Sequence, residues 1–237
     1  MSRILSRTCA LITTAITVGL VACGGPLRPQ AGYQPPPITL SAPLEHGFAA
    51  DAVGQPPVGM HLYTLGPGRP SRWLVQTVPD AASGKALVQT DEDDNHSRYP
   101  LALLDGVIAR DLRVGVHARA VRGQLDRSFG VILRARDERN FYLARANTSE
   151  ISPENVRLYV FVDGKRSQLD EWEGSAKPGV WHDLALSAVG DQLTVIFDGK
   201  PVIKRRDATF REAGGVGVWT KAESVSQFDR ITIAPAP

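Results

Sequence analysis

The sequence predicts an all-β protein with the architecture of a two-sheet antiparallel jelly-roll sandwich. Three observations carry this prediction: short apolar stretches recur from residue 48 onward, turn residues separate them, and no long amphipathic helical pattern occurs. Many short strands with frequent turns are typical of sandwiches and barrels. The chain has 237 residues, 43% hydrophobic and 22% charged, which is enough for one large domain or two small ones.

Alternation and turn residues define the individual strands. In residues 112–120, apolar residues alternate with arginine and histidine, which is the period of a half-buried strand. Asp163-Gly164 and Asp198-Gly199 have the composition of two-residue hairpin turns, so each is expected to join two strands. The predicted strands are 73–78, 85–90, 112–120, 129–136, 141–147, 156–162, 165–172, 181–188, 193–197, 201–204, 216–220 and 228–233.

The first 22 residues have the features of a secretory signal. Arg3 and Arg7 precede an uncharged apolar run, residues 10–22, that is too short to span a membrane. The run ends in LVACGG, which resembles the bacterial lipobox. This resemblance implies cleavage before Cys23 and lipid attachment to its sulfur. Since Gly24 rather than aspartate follows, it also implies a lipid-anchored envelope protein of the outer membrane, facing the periplasm or the exterior.

A proline-rich segment follows the lipidation site. Residues 23–43 contain six prolines, three of them consecutive, and such a composition favours a semi-extended spacer. We therefore expect three parts: a lipoprotein signal peptide over 1–22, the lipidated cysteine with its linker over 23–43, and a β-sandwich over 44–237.

Charge and cysteine content exclude several classes of function. The chain has 27 Lys+Arg and 25 Asp+Glu, and the numbers are equal once the two arginines of the signal are removed. The composition thus shows no excess of basic residues of the kind that indicates binding to nucleic acid or to anionic lipid. Membrane contact is expected through the anchor only, and the domain is expected to be a monomer. Cys9 and Cys23 are the two cysteines, so the folded part has no disulfide and no cysteine nucleophile.

Three stretches carry a family resemblance. They are GVILRARDERNFYLARAN at 130–147, NVRLY with DGKR at 155–159 and 163–166, and a third set, GVWHDL, FDGK, AGGVGVWTK and FD, spread over 179–229. Together they resemble the concanavalin A-like lectin/glucanase superfamily, and within it the laminin-G-like and 3-keto-disaccharide-hydrolase-like group. The resemblance covers residues 48–234 and implies the fold. It leaves the chemistry open, because one fold hosts many functions.

Polar residues that are interleaved with apolar ones on successive strands are the candidate binding residues. If these strands pair, Arg134, Arg145, Asn147 and Tyr159 are expected on the concave face, with Lys221 at its rim. Arginine and asparagine donate hydrogen bonds to sugar hydroxyls, and an aromatic ring stacks on a pyranose. The alternative is a solvent-facing sheet with protective charges. A register slip of one residue would exchange the two faces.

Catalysis and metal binding have weaker signals. The glucanase motif Glu-x-Asp-x-x-Glu does not occur. An enzyme of the 3-keto-disaccharide hydrolase or lyase kind stays an alternative, with Asp137 and Glu150 as the nearest acids. A non-catalytic module that contacts envelope proteins is a further alternative. No cofactor is expected, except that the acidic run 91–94 is either a solvated loop or a structural calcium site.

Overall fold

A computed structural model describes residues 40, 42–124, 126–148 and 154–236. The predicted signal peptide, Cys23 and most of the predicted linker lie outside the described residues. No helix of membrane-spanning length and apolarity occurs within the described ranges. The described residues form β1 Leu44–Gly47, β2 Met60–Leu65, β3 Trp73–Thr77, β4 Lys85–Gln89, β5 Tyr99–Leu104, β6 Leu112–Arg122, β7 Ser128–Asp137, β8 Asn140–Asn147, β9 Asn155–Val162, β10 Lys165–Glu173, β11 His182–Val189, β12 Gln192–Phe197, β13 Lys200–Arg206, β14 Gly215–Thr220 and β15 Val225–Pro235.

Two antiparallel sheets form the sandwich. The first sheet has the order β13-β12-β11-β6-β15-β4-β3, and β1 also pairs with β15. The second sheet has the order β10-β9-β8-β7-β14-β5-β2. The predicted fold class, a two-sheet antiparallel jelly-roll sandwich, is confirmed.

Alternating side chains of both sheets meet in one core between them. Val114 and Val116 of the first sheet and Val131, Leu133 and Leu158 of the second belong to the same buried cluster. Full burial of such side chains contributes roughly 1.5–3 kcal/mol each. Every second residue of these strands is therefore apolar because its side chain is buried between the two sheets.

Both predicted hairpin turns have the backbone that their sequences favour. Asp163 and Gly164 have φ values of 50° and 79°, and Asp198 and Gly199 have 47° and 77°. Positive φ at both central residues is the requirement of a type I′ turn. These turns join β9 to β10 and β12 to β13, and they fix the register of each hairpin.

Three strands, β1, β2 and β5, are missing from the sequence-based prediction. In β5, Leu101 packs on the outer face of the sheet and Ala102 packs in the interior, so both faces are buried. A strand that is buried on both sides shows no alternation. Pro100 adds a second contrary signal, because proline inside an apolar run argues against a strand.

Candidate functional site

The second sheet curves strongly toward its outer face, which is directed away from the first sheet. The Cζ atom of Arg166 on β10 lies 5.3 Å from the ring centroid of Tyr99 on β5. These strands are five positions apart, which would separate them by about 24 Å in a flat sheet. Tyr99 also contacts Phe161 of β9, with ring centroids 5.4 Å apart. The outer face is therefore concave, and we call it the concave face.

Apolar side chains fill much of the concave face. Six of them have no exposed surface and belong to one cluster: Leu101, Ile132, Phe141, Leu143, Phe161 and Trp219. They form a second core outside the sandwich interior. The polar side chains of this face lie on the C-terminal part of β8, the N-terminal part of β9 and the neighbouring strand β10.

One cross-strand row brings a tryptophan and two arginines into line. Antiparallel pairing aligns four residues of neighbouring strands in the order Trp219, Gly130, Arg145, Arg157. A Cβ atom at Gly130 would lie 2.7 Å from Leu143 Cδ1 and 3.4 Å from Trp219 Cε3. The glycine thus leaves space for the side chains on either side of it.

Arg145 is buried beneath this face, with an exposed fraction of 4%. Its Nη2 donates to Asn155 Oδ1 at 2.8 Å, whereas its Nε has no hydrogen-bond partner in the described part of the chain. Its Cζ atom lies 5.7 Å from the centroid of the Tyr159 ring. Burial is the main cause that lowers the pKa of Arg145; Tyr159 opposes this, and two neighbouring arginines add to it. The guanidinium nevertheless stays protonated at neutral pH.

Asn147 and Tyr159 lie on the same face as Arg145. Asn147 is opposite Asn155, and Tyr159 is opposite Leu143. Asn147 is 4% exposed and Tyr159 is 3% exposed. The structure thus brings together three of the predicted site residues, and it places all three below the surface.

Arg166 and Tyr99 form the mouth of this cluster, because both are half-buried. The Arg166 guanidinium lies over two rings, with its Cζ 5.3 Å from the Tyr99 centroid and 4.8 Å from the Tyr159 centroid. Within the described ranges, its Nη1 has no hydrogen-bond partner, and neither has Nε1 of the Trp219 indole. Neither Arg166 nor Tyr99 is among the residues that the sequence singled out.

Lys221 follows the last residue of β14 and ends in an ion pair. Its Nζ atom lies 2.5 Å from Asp126 Oδ2, and both side chains are largely buried. Nδ1 of His96 lies 3.7 Å from the same carboxylate oxygen. The amino group that was predicted to reach a ligand is therefore already held by a carboxylate.

Arg134 does not join the cluster, contrary to the sequence-based expectation. Its backbone has a φ of 51°, and the β7–β8 register shifts between Leu133 and Asp137. Its Nε and Nη1 donate to the carbonyls of Arg110 and Phe210 at 2.8 and 2.9 Å. The bulge interrupts the alternation of β7 at Arg134. Its side chain therefore does not lie on the face that the alternation predicts and instead forms structural hydrogen bonds.

An open polar cleft of about 770 Å³ lies among loops at one end of the sandwich. It carries both acidic and basic groups, and Glu92 and Arg122 form an ion pair of 2.9 Å across it. The lining residues are Arg69, Glu92, Asp93, Asp94, Arg122, Gly123, Gln124, Arg127 and Glu223.

Arginines and backbone amides engage two carboxylates of the acidic run in this loop region. Asp91 Oδ1 lies 3.0 Å from Arg98 Nη2, and Asp93 accepts from the Arg69 backbone N–H at 2.7 Å. Hydrogen bonds from the backbone of Arg69 and then of Asn95 lower the pKa of Asp93. In the described ranges, no group of three or more His, Cys, Asp or Glu side chains forms a metal site, and calcium binding stays a prediction.

Comparison of the fold with solved structures gives a consistent result. The carbohydrate-binding module CBM66 from Bacillus subtilis has a TM-score of 0.58 and 19% identity, covering 74% of this chain and 95% of that one. The exoplasmic/lumenal domain of VIP36, in its Ca²⁺/Man3GlcNAc-bound form, has a TM-score of 0.52 and 11% identity, covering 76% and 84%. The chain has a lectin-like jelly-roll fold.

A further similar structure is domain 4 of AbnA, a GH43 extracellular arabinanase from Geobacillus stearothermophilus, in complex with arabinotriose. It has a TM-score of 0.50 and 13% identity, with coverage of 81% of this chain and 91% of that one. Neither protein-family models nor curated protein sequences match this chain. At these identities the structural likeness establishes the fold.

Two acids of the second sheet accept hydrogen bonds from neighbouring residues. Arg157 Nε donates to Glu171 Oε1 at 2.9 Å, and this bond is the main cause that lowers the pKa of Glu171, whereas a general acid needs a raised pKa. Asp137 accepts from the Arg139 N–H and the Asn140 amide within a turn. Glu150 lies outside the described residues.

Proposed function

We propose that this chain is a lipid-anchored envelope protein that binds carbohydrate through the concave face of its second sheet. One observation carries the proposal. Three buried N–H donors on this face lack an acceptor among the residues that the structure describes: Arg145 Nε, Arg166 Nη1 and Trp219 Nε1. A buried donor without a partner costs roughly 1–3 kcal/mol, and sugar hydroxyl oxygens supply the missing acceptors.

The mouth of the cluster provides the surface on which a sugar would stack. The Arg166 guanidinium lies over the rings of both Tyr99 and Tyr159. An aromatic ring offers a pyranose an apolar face of matching size. On binding, Arg166 moves aside, the sugar takes its place against Tyr99, and the polar groups beneath it gain partners.

The similar structures support this class of ligand. One is described as a carbohydrate-binding module, one was solved with a mannose-containing glycan, and one was solved with arabinotriose. These ligands are properties of the similar proteins and not observations on this chain. For this chain they favour an oligosaccharide over a protein partner.

A thermal-shift screen of the full chain against a panel of oligosaccharides tests the proposal. A ligand at 100 times its dissociation constant stabilises by about 2.7 kcal/mol, which for this size raises Tm on the order of 5 to 10 °C. Arg145→Gln should abolish the shift. The matched control is Arg211→Gln, which changes an exposed arginine between β13 and β14 and should keep the shift. The absence of a shift with every sugar, or an equal shift in Arg145→Gln, would contradict the proposal.

The anchoring part of the proposal has its own test. Cys23→Ala removes the only sulfur that the lipobox resemblance assigns to lipid. Cell fractionation should find the parent chain with membranes and the variant in the soluble fraction. An unchanged distribution would contradict lipid attachment at Cys23.

A further inference from the structure

Two cations near the concave face are neutralised by carboxylates. Arg157 Nη2 lies 2.8 Å from Glu171 Oε1, and Lys221 Nζ lies 2.5 Å from Asp126 Oδ2. Each pair contributes no net charge to the site. Any excess charge must therefore come from the other basic residues of the cluster.

Arg145 and Arg166 supply this excess. Among the described residues, neither has a carboxylate within ion-pair distance, and the hydrogen-bond acceptor of Arg145 is the neutral amide of Asn155. The two guanidinium groups lie on the same ring, 5.7 and 4.8 Å from the Tyr159 centroid. These two described residues thus contribute about two positive charges to the cluster at neutral pH.

The other deeply buried arginines of the described chain show how unusual this is. Arg98 has no exposed side-chain surface and lies 3.0 Å from an Asp91 oxygen. Arg134 is equally buried and lies 3.0 Å from an Asp111 oxygen. A buried charge without a counter-charge is strongly unfavourable. Arg145 is as deeply buried, and no described carboxylate lies within ion-pair distance of it, so a ligand that brings a negative charge would supply the missing partner.

We propose that the sugar bound at the concave face carries a carboxylate, as a uronic acid does, and that this carboxylate pairs with Arg145 and Arg166. This inference rests on the proposed carbohydrate function and gives its ligand class. A planar carboxylate suits the donor geometry of guanidinium groups. The pyranose ring of the same residue stacks on Tyr99 while its acid group points toward Arg145.

Calorimetric titration of the full chain with matched sugar pairs tests the inference. The probes are oligomers of galacturonate, glucuronate and alginate, each beside its carboxyl-reduced, neutral counterpart. One acidic oligomer should bind at least about tenfold more tightly than its reduced form. This advantage should shrink as salt is raised from about 50 to 500 mM, because exposed parts of the site are screened.

The outcomes separate the inference from the proposed function. If neutral sugars bind and no acidic oligomer binds more tightly than its reduced form, the carboxylate inference is wrong and carbohydrate binding stands. If no acidic or neutral sugar binds, both are wrong.

Variants at the two arginines make the test residue-specific. Arg166→Gln changes a half-buried side chain, so it should fold as the parent does, which Tm confirms. It should remove most of the advantage of the acidic oligomer over its neutral counterpart, and it should also weaken neutral-sugar binding, because Arg166 belongs to the proposed site. Arg145→Gln should abolish the binding of both sugars, and Arg211→Gln should retain the full advantage. A tenfold preference for the acidic oligomer that survives in Arg166→Gln would overturn the inference.

Discussion

Arg134 and Arg145 lie on the two strands of one hairpin, and both are almost fully buried, at 0% and 4% exposure. Their surroundings differ. Arg134 donates to two backbone carbonyls and to the Asp111 carboxylate, so each of its three nitrogens has a partner. Arg145 donates from Nη2 to Asn155, and its Nε has no partner among the residues described.

This difference separates a structural arginine from one that is available to a ligand. Burial alone does not distinguish them, and neither does residue type. The distinction lies in how many donors the protein itself satisfies, because a buried donor that lacks an acceptor is unfavourable until something supplies one. The following predictions test this distinction, in order of decreasing effect.

Arg134→Ala should destabilise the protein most. It removes three hydrogen bonds and leaves the buried Phe210 carbonyl without its donor, so the free energy of unfolding should fall by about 3 kcal/mol. Tm should fall by roughly 6 to 12 °C. Urea unfolding measures the change, with Arg211→Ala as the control. Sugar binding below Tm should be unchanged; a loss under about 1 kcal/mol would contradict a structural role for Arg134.

Tyr142 belongs to the same network and gives it a pH dependence. Its hydroxyl donates to Asp207 Oδ1 at 2.6 Å and accepts from the Phe210 N–H. Burial and then the bond to Asp207 raise its pKa from 10.0 to about 12. The pKa of Tyr142 is higher in the folded state than in the unfolded state. Its contribution to the free energy of unfolding is therefore complete below pH 10 and is lost as pH rises toward 12.

Unfolding in urea at pH 8 and pH 11 measures this loss. The parent should lose about 1 kcal/mol more than Tyr142→Phe between these pH values. Equal losses in the two proteins would show that the folded state does not hold the Tyr142 proton.

Arg145→Met should change stability less than Arg134→Ala does. The change removes one hydrogen bond and also the unfavourable burial of an unpaired cation, and these effects oppose each other. We expect a difference in unfolding free energy below about 1 kcal/mol, measured by urea unfolding, together with loss of sugar binding. A loss of unfolding free energy as large as that of Arg134→Ala would show that Arg145 has a structural role, as Arg134 does.

Glu171→Gln should have the smallest effect on stability. The Arg157–Glu171 pair is partly exposed, and pairs of this kind contribute less than about 1 kcal/mol. Releasing Arg157 adds positive charge near the site, so affinity for an acidic oligosaccharide should rise about two- to threefold at low salt. Calorimetry at two salt concentrations checks this, and weaker binding would contradict the charge argument.

The sequence predicted the position of Arg145, Asn147 and Tyr159 on one face, because β8 and β9 alternate without interruption. It could not predict the position of Arg134, because the bulge after Leu133 breaks that alternation. The bulge depends on a residue with positive φ, and an arginine there is not a turn signal.

Sheet curvature explains why Arg166 and Tyr99 were missed. They meet across five strand positions, and such a meeting depends on how the whole sheet bends. Local alternation specifies which face a side chain occupies, and it says nothing about distant strands. The hydrogen-bond donors of a site can therefore be predicted from the alternation of each strand. The aromatic rings at its mouth can be predicted only when the curvature of the whole sheet is known.

The most direct test follows individual side-chain N–H groups by two-dimensional ¹⁵N NMR while the full chain is titrated with the best oligosaccharide from the panel. The account predicts that the Nε–H signal of Arg145 and the Nε1–H signal of Trp219 shift in proportion to saturation, while the Nε–H signal of Arg134 stays in place. Saturable binding that leaves Arg145 and Trp219 unchanged would contradict the account, since the sugar would then bind elsewhere on the molecule.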